Sequence, residues 1–156
     1  MDNLKRLPQL KAELEETKDM LAQLEKTKER IDKERYDRVA NKYKNKIAEL
    51  SSTIENLEEQ ANEQKMELQT RRDKLTEKAS QIEKKIEDEQ ILYEQSAISE
   101  QEYDSNKKKL QEEKRELESK LEGVNSDLEE IGFYLTQKGD VNDKNHQLQT
   151  SDDDDS

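Results

Sequence analysis

Leucine and isoleucine recur through residues 1 to about 137 at alternating spacings of three and four positions. This spacing places apolar side chains on one face of a helix, and it is the repeat pattern of coiled coils. The positions between them are mostly Glu, Lys, Gln and Arg, which are strong helix formers. The pattern therefore predicts an all-α protein whose helices pair through narrow apolar seams.

Two similar segments indicate where helices begin. Each has Ile at the N′ position, a residue suited to cap the helix, and Tyr at N4, an arrangement known as a hydrophobic staple. The staple residues are Ile31, Asp32 and Tyr36 in the first segment and Ile98, Ser99 and Tyr103 in the second. Glu102 follows Ser99 by three residues and completes a capping box. Neither segment contains Gly or Pro, so a continuous helix through Asp32 stays open as the alternative to a hairpin.

The helix starts divide the chain into predicted helices at about 7–29, 32–95 and 99–137. If the chain reverses at both points, Leu14 faces Leu50 and Leu121 faces Leu75. We therefore expect an antiparallel coiled-coil rod of three helices, in which a shorter helix folds back on each half of a long central one. One continuous helix pairing with a second chain in parallel is the competing architecture. Monomer and homodimer are both compatible with the pattern.

Four basic residues fall at seam positions of this arrangement: Lys28, Lys65, Arg72 and Lys114. Polar groups at core positions can specify register, because slipped pairings bury them without partners. The second interpretation is that their long aliphatic stems cover the seam while the charged ends reach water.

Composition and charge narrow the class of protein. Only 28% of the 156 residues are hydrophobic and 44% are charged, so the chain cannot enclose the wide core of an ordinary globular domain. The net charge of −12 disfavours binding to nucleic acid or to anionic membranes. No apolar run approaches the ~18 residues of a membrane span, and no secretory-type segment is present. We expect a cytoplasmic protein without membrane insertion.

Residues 138–156 are polar and lack periodicity, and we predict a disordered acidic tail there. The tail contains the single His146 and the run Asp152–Asp155, neither of which forms a metal site without a fold to fix its geometry. The chain has no Cys and no glycine-rich phosphate loop. We expect no enzymatic activity, no cofactor, no metal and no small-molecule substrate.

Phe133 and Tyr134 are the densest aromatic position in the chain, and the predicted register places Met66 nearby. One interpretation is that the two rings plug the junction where the outer helices meet. The other is that these three residues form a docking patch for a partner helix, because exposed aromatic side chains mark interaction sites.

The two helix starts share the pattern Ile-[Ser/Asp]-x-[Glu/Gln]-x-Tyr, carried by Ile31, Asp32, Glu34 and Tyr36 and by Ile98, Ser99, Gln101 and Tyr103. The pattern resembles archaeal coiled-coil proteins and is similar to the coiled-coil segment of CdvA-type proteins of the ESCRT-linked division machinery. This resemblance implies a coiled-coil fold and a role in archaeal cell division. Proteins of that type carry an N-terminal β-barrel domain, which has no counterpart in these residues.

Taken together, the pattern predicts a non-enzymatic coiled-coil scaffold, spacer or adaptor that acts through a protein partner or through self-association. The alternative is a chaperone-like or regulatory binding module that grips a partner helix. The identity of the partner is not encoded in the pattern.

Overall fold

The computed structural model describes residues 2–137, and the predicted tail at 138–156 lies outside them. The described part of the chain contains three α-helices and no strand, so the prediction of an all-α, three-helix protein is confirmed. The elements are a 3₁₀ helix Asp2–Arg6, α1 Leu7–Lys26, a 3₁₀ helix Lys28–Arg30, α2 Lys33–Glu94 and α3 Glu100–Thr136.

The first turn lies between α1 and α2. The N–H and hydroxyl groups of Thr27 both donate to the Leu24 carbonyl, at 3.0 and 2.9 Å. After the short 3₁₀ helix, Ile31 is extended, with φ −114° and ψ 140°, and the Tyr36 N–H donates to the Asp32 carbonyl to open α2. The chain therefore leaves the α-helical conformation before Lys33, which excludes one continuous helix through Asp32.

The second turn, between α2 and α3, is built differently. The Ala97 N–H donates to the Leu92 carbonyl at 2.8 Å, and the Ser96 N–H donates to Tyr93 at 3.0 Å. This pair of bonds is the Schellman motif, which requires a left-handed residue just past the helix end. Ser96 fills that position with φ 61°, a conformation that usually selects Gly. A serine thus forms the reversal for which the sequence offers no glycine.

The start of α3 follows the capping prediction. The Glu102 N–H donates to the Ser99 hydroxyl at 3.1 Å, and the Tyr103 N–H donates to the Ser99 carbonyl at 2.9 Å. The hydroxyl thereby satisfies one of the N–H groups that have no partner within the first turn of a helix. From there α3 continues through Gly123 and Gly132 to Thr136.

The chain divides into two compact units, and each has its own core. The described part of unit 1 comprises residues 2–63 and 131–137. Its core contains the two most deeply buried large side chains of the described residues, Leu7 and Ile131. The other buried apolar residues of unit 1 are Leu4, Ala40, Leu50, Ile54, Leu57 and Ala61. Together with Leu7 of α1 and Ile131 of α3, these residues of α2 and the first 3₁₀ helix make up the core of unit 1.

Unit 2 comprises residues 64–130, from α2 and α3 alone. Its buried apolar side chains are Leu75, Ile82 and Val124. Lys114 forms an ion pair with Glu83, and the hydrogen bond between them raises the pKa of Lys114 above its usual value. The Asn106 amide donates to Glu89 at 3.2 Å. Both contacts join α2 to α3 next to the pairs that the predicted register specifies.

Candidate interaction surfaces

Phe133 and Tyr134 lie near the C-terminal end of α3, in unit 1. Their ring centroids are 5.3 Å apart with an interplanar angle of 74°, an edge-to-face pair. Tyr134 is half-buried, whereas the Phe133 side chain is 51% exposed. A plug would be enclosed, so the exposure of Phe133 does not fit that role, and the buried position in this segment belongs to Ile131.

The backbone that carries these two rings is fixed by Lys11 of α1. The Lys11 ammonium lies 3.1 Å from the Glu58 carboxylate of α2. It also donates to the carbonyls of Leu135 and Gln137, at 3.5 and 3.4 Å. A cation at a helix C-terminus satisfies carbonyl groups that lack partners within the helix and is attracted by the helix dipole. Phe133 is therefore an exposed side chain on an anchored segment.

Met66 is the third residue of the predicted patch. It lies on α2 and is 67% exposed. Met66 belongs to unit 2, whereas the aromatic pair belongs to unit 1. Their grouping into a single patch stays a prediction.

The two staple tyrosines each contact a side chain on the preceding helical segment. The Tyr103 ring stacks on Tyr93, with centroids 4.7 Å apart and planes inclined by only 9°, and Lys107 lies 5.4 Å from the same ring centroid. In the first turn the Lys28 ammonium lies 5.3 Å from the centroid of Tyr36. Cation–π attraction explains why a basic residue suits this seam position. Ile31 and Ile98 are half-buried.

A second exposed apolar surface was not predicted from the sequence. Ile91, Leu92 and Tyr93, in the last turn of α2, are 52%, 39% and 38% exposed; we name these three residues the second-turn patch. A detectable signal existed in the sequence. Consecutive helical residues point in directions about 100° apart, so three adjacent apolar residues cannot all face one seam.

The charges in the segment that carries the second-turn patch are of one sign, and the first basic residue after the turn is Lys107, which lies beside the Tyr103 ring. Between Ile86 and Asn106 the chain contains no Lys or Arg. The acidic residues in this interval are Glu87, Asp88, Glu89, Glu94, Glu100, Glu102 and Asp104. The patch is thus an exposed apolar surface within a strongly acidic segment.

Within residues 2–137, no group of His, Cys, Asp and Glu side chains is arranged to hold a metal ion. None of the helices described is both long and apolar enough to cross a membrane. Comparison of the chain with protein-family models, with curated proteins and with solved structures finds no match.

Proposed function

We propose that this protein is a non-enzymatic coiled-coil scaffold or adaptor that joins other proteins in the cytoplasm. The observation that carries the proposal is the placement of the apolar side chains. Most are used in narrow seams between helices, while Phe133 and the second-turn patch remain exposed near helix ends whose backbone is fixed. Exposed apolar groups on rigid elements are typical of protein-binding sites.

The surface grooves of unit 2 support a binding role over a catalytic one. The groove beside Ile82 and Leu117 is open and is lined by charged side chains such as Lys78, Glu113 and Lys120. Catalytic acids and bases need an environment that shifts their pKa values toward the working pH. The hydrogen bond to Glu83 raises the pKa of Lys114, which moves it further from neutral rather than toward it.

A regulatory module that grips a partner helix is the second candidate, and the exposed Phe133 favours it. Lys11 holds the backbone beside this ring, so Phe133 presents its apolar surface without a large ordering cost on binding. The similarity of the helix starts to CdvA-type proteins would make a component of the archaeal division machinery the partner in this version.

The experiment that tests both candidates is proximity labelling with the full chain expressed in its source cells. We expect a reproducible set of labelled proteins. Their labelling should fall in a Phe133→Ser variant if the end of α3 is the contact, or in a Leu92→Ser variant if the second-turn patch is. Asn45→Ser, an exposed polar position in unit 1, is the matched control and should leave the set unchanged.

A labelled set that is the same for all variants and for an unrelated acidic helical protein would contradict the scaffold proposal. Circular dichroism of each variant before expression in cells separates loss of binding from loss of folding, because an unfolded chain loses its helical signal.

A further inference from the structure

The second-turn patch is an apolar surface held in a defined conformation. Tyr93 is fixed by its stack on Tyr103, and the helix end that carries Leu92 is closed by the bond from Ala97. On the other side of the turn, the Ser99 hydroxyl caps α3. A surface that is ordered before binding loses little conformational entropy when a partner covers it.

The acidic residues around the patch determine which partner can cover it. Glu94 and Glu100 are exposed, and they flank the turn on the α2 and α3 sides. Between Ile86 and Asn106 the chain has seven acidic residues and no Lys or Arg, and Lys107 beside the Tyr103 ring offsets only part of this charge. An acidic partner approaching the patch would meet like charges, whereas a basic partner would be attracted and correctly oriented.

We infer that the second-turn patch binds a basic amphipathic helix, whose apolar face covers Ile91, Leu92 and Tyr93 and whose Lys and Arg side chains pair with the surrounding carboxylates. The inference rests on the proposed scaffold function and specifies the chemistry of one of its partners. Apolar anchors spaced at i, i+3 and i+4 are the recurring mode by which helices bind to exposed apolar surfaces.

Other occupants fit the charge less well. A second copy of this chain would bring a net charge of −12 toward the same acidic turn. A nucleic acid or an anionic lipid surface would add phosphate groups to it, and both are repelled for the same reason. A basic helix is the occupant that satisfies the apolar residues and the carboxylates together.

The test is a selection from a displayed library of random peptides of about 16 residues, using the immobilised full chain as target. Peptides that also bind a Leu92→Ser variant are removed by counter-selection. We expect the enriched peptides to be rich in Lys and Arg and to place apolar residues on one helical face. A Val39→Ser variant, which removes an apolar residue of similar exposure from the same helix, is the matched control and should retain the enriched peptides.

The strongest enriched peptide is then synthesised, together with a version in which the same residues are shuffled out of helical spacing. We expect affinity for the full chain to fall about tenfold or more with Leu92→Ser, because an apolar side chain is lost from the interface. Affinity should also fall as NaCl rises from about 50 mM to about 300 mM, as expected for charge pairing.

Three results would overturn the inference: no enrichment, enrichment of peptides without basic residues, or equal binding of the shuffled peptide. Concentration-dependent dimers in sedimentation that disappear with Leu92→Ser would assign the patch to a second copy and overturn it as well. Failure here is distinct from failure of the scaffold proposal. If the labelled partners depend on Phe133 and no basic peptide binds the second-turn patch, the scaffold proposal stands and the basic-helix inference is wrong.

Discussion

The two compact units are both helical, but among the described residues only unit 1 contains apolar side chains that are completely inaccessible to solvent. In unit 1, Leu7 and Ile131 are completely inaccessible to solvent and Ala61 is nearly so. Leu50, Ile54 and Leu57 of unit 1 retain 7% to 8% exposure, as Leu75 and Ile82 of unit 2 do, but the deepest apolar side chain described in unit 2, Val124, still retains 4%. The residue types are similar, so hydrophobicity does not account for the difference.

The number of elements that meet at each core explains the contrast. The core of unit 1 receives side chains from α1, α2 and α3, and Lys11 links these three helices through Glu58 and the carbonyls of Leu135 and Gln137. The core of unit 2 lies between α2 and α3 alone. A two-helix seam leaves every layer open along its edges, whereas a third element covers them.

The comparison of the two cores requires that the chain reverses at both turns, and disulfide trapping tests these reversals directly. The chain has no native Cys, so each disulfide test needs only two substitutions. The two variants are Leu14→Cys/Leu50→Cys for the first turn and Leu75→Cys/Leu121→Cys for the second. We expect intrachain disulfides with monomer mobility on non-reducing gels, because both pairs face each other in the predicted register. A Leu14→Cys/Val39→Cys control should stay reduced, and exclusive interchain dimers in dilute solution would contradict the hairpins.

Truncating the same residue type in each core compares the two units directly. Leu7→Ala should lower the free energy of unfolding by about 4 kcal/mol and Leu75→Ala by about 2 kcal/mol, because the enclosed site cannot collapse around the lost atoms. Urea unfolding followed by circular dichroism measures the totals, and amide hydrogen exchange assigns the loss to a unit. Equal costs would remove the distinction drawn here.

The hydrogen-bonded cap of α3 is the next largest effect. Ser99→Ala should lower the free energy of unfolding by about 1 kcal/mol, because the Glu102 N–H loses its acceptor. Ser99→Asp keeps an acceptor and should recover most of the loss. Ser105→Ala, at an exposed position within α3, is the control, and it should change stability less than Ser99→Ala does.

Substitution by glycine should change the stability of the protein in opposite directions at the two turns. Ser96→Gly is expected to stabilise the protein by about 0.5–1 kcal/mol, because glycine adopts positive φ without the steric cost that serine carries at 61°. Thr27→Gly in the first turn, where φ is −103°, should destabilise it instead. Thermal unfolding measures both, and an equal response of the two turns would show that they are not built differently.

The ion pair of unit 2 gives the smallest effect and a defined dependence on pH. The pKa of Lys114 in the folded protein is raised above its ordinary value of 10.5, chiefly by the hydrogen bond to Glu83. Its stabilising contribution is therefore complete below pH 10.5 and is lost as pH rises through the higher folded value. A Glu83→Gln variant should have a lower melting temperature than wild type at pH 9. The two melting temperatures should converge as the pH rises above the folded-state pKa of Lys114. A difference in melting temperature that does not change with pH would contradict this assignment.

The sequence predicted much of the fold because its signals were local. The heptad spacing and the helix-start signals at Asp32 and Ser99 lie within a few residues of the features they predict, and α2 and α3 begin directly after those two residues. The left-handed Ser96 could not be predicted, because nothing in its side chain favours that conformation over other turns. The bonds from Lys11 to the end of α3 were also missed, since they join residues 124 and 126 positions apart.

The candidate surfaces were predicted less completely for a related reason. Phe133 was identified because it adjoins Tyr134 in an aromatic-poor chain, and its side chain is exposed. Its role in docking stays a prediction. The second-turn patch was missed because Ile91 and Leu92 resemble seam residues when only spacing is considered. Both lie in the last turn of α2, just before the left-handed Ser96, a position that spacing alone does not reveal.

The bonds from Lys11 also determine the order in which the protein can be completed during synthesis. The two turns join residues that are close in the chain, so their helices can pair soon after they emerge from the ribosome. The Lys11 ammonium can donate to the carbonyls of Leu135 and Gln137 only after these residues have been synthesised. We therefore expect the core of unit 1 to be completed last, because Ile131 joins it only with the end of α3.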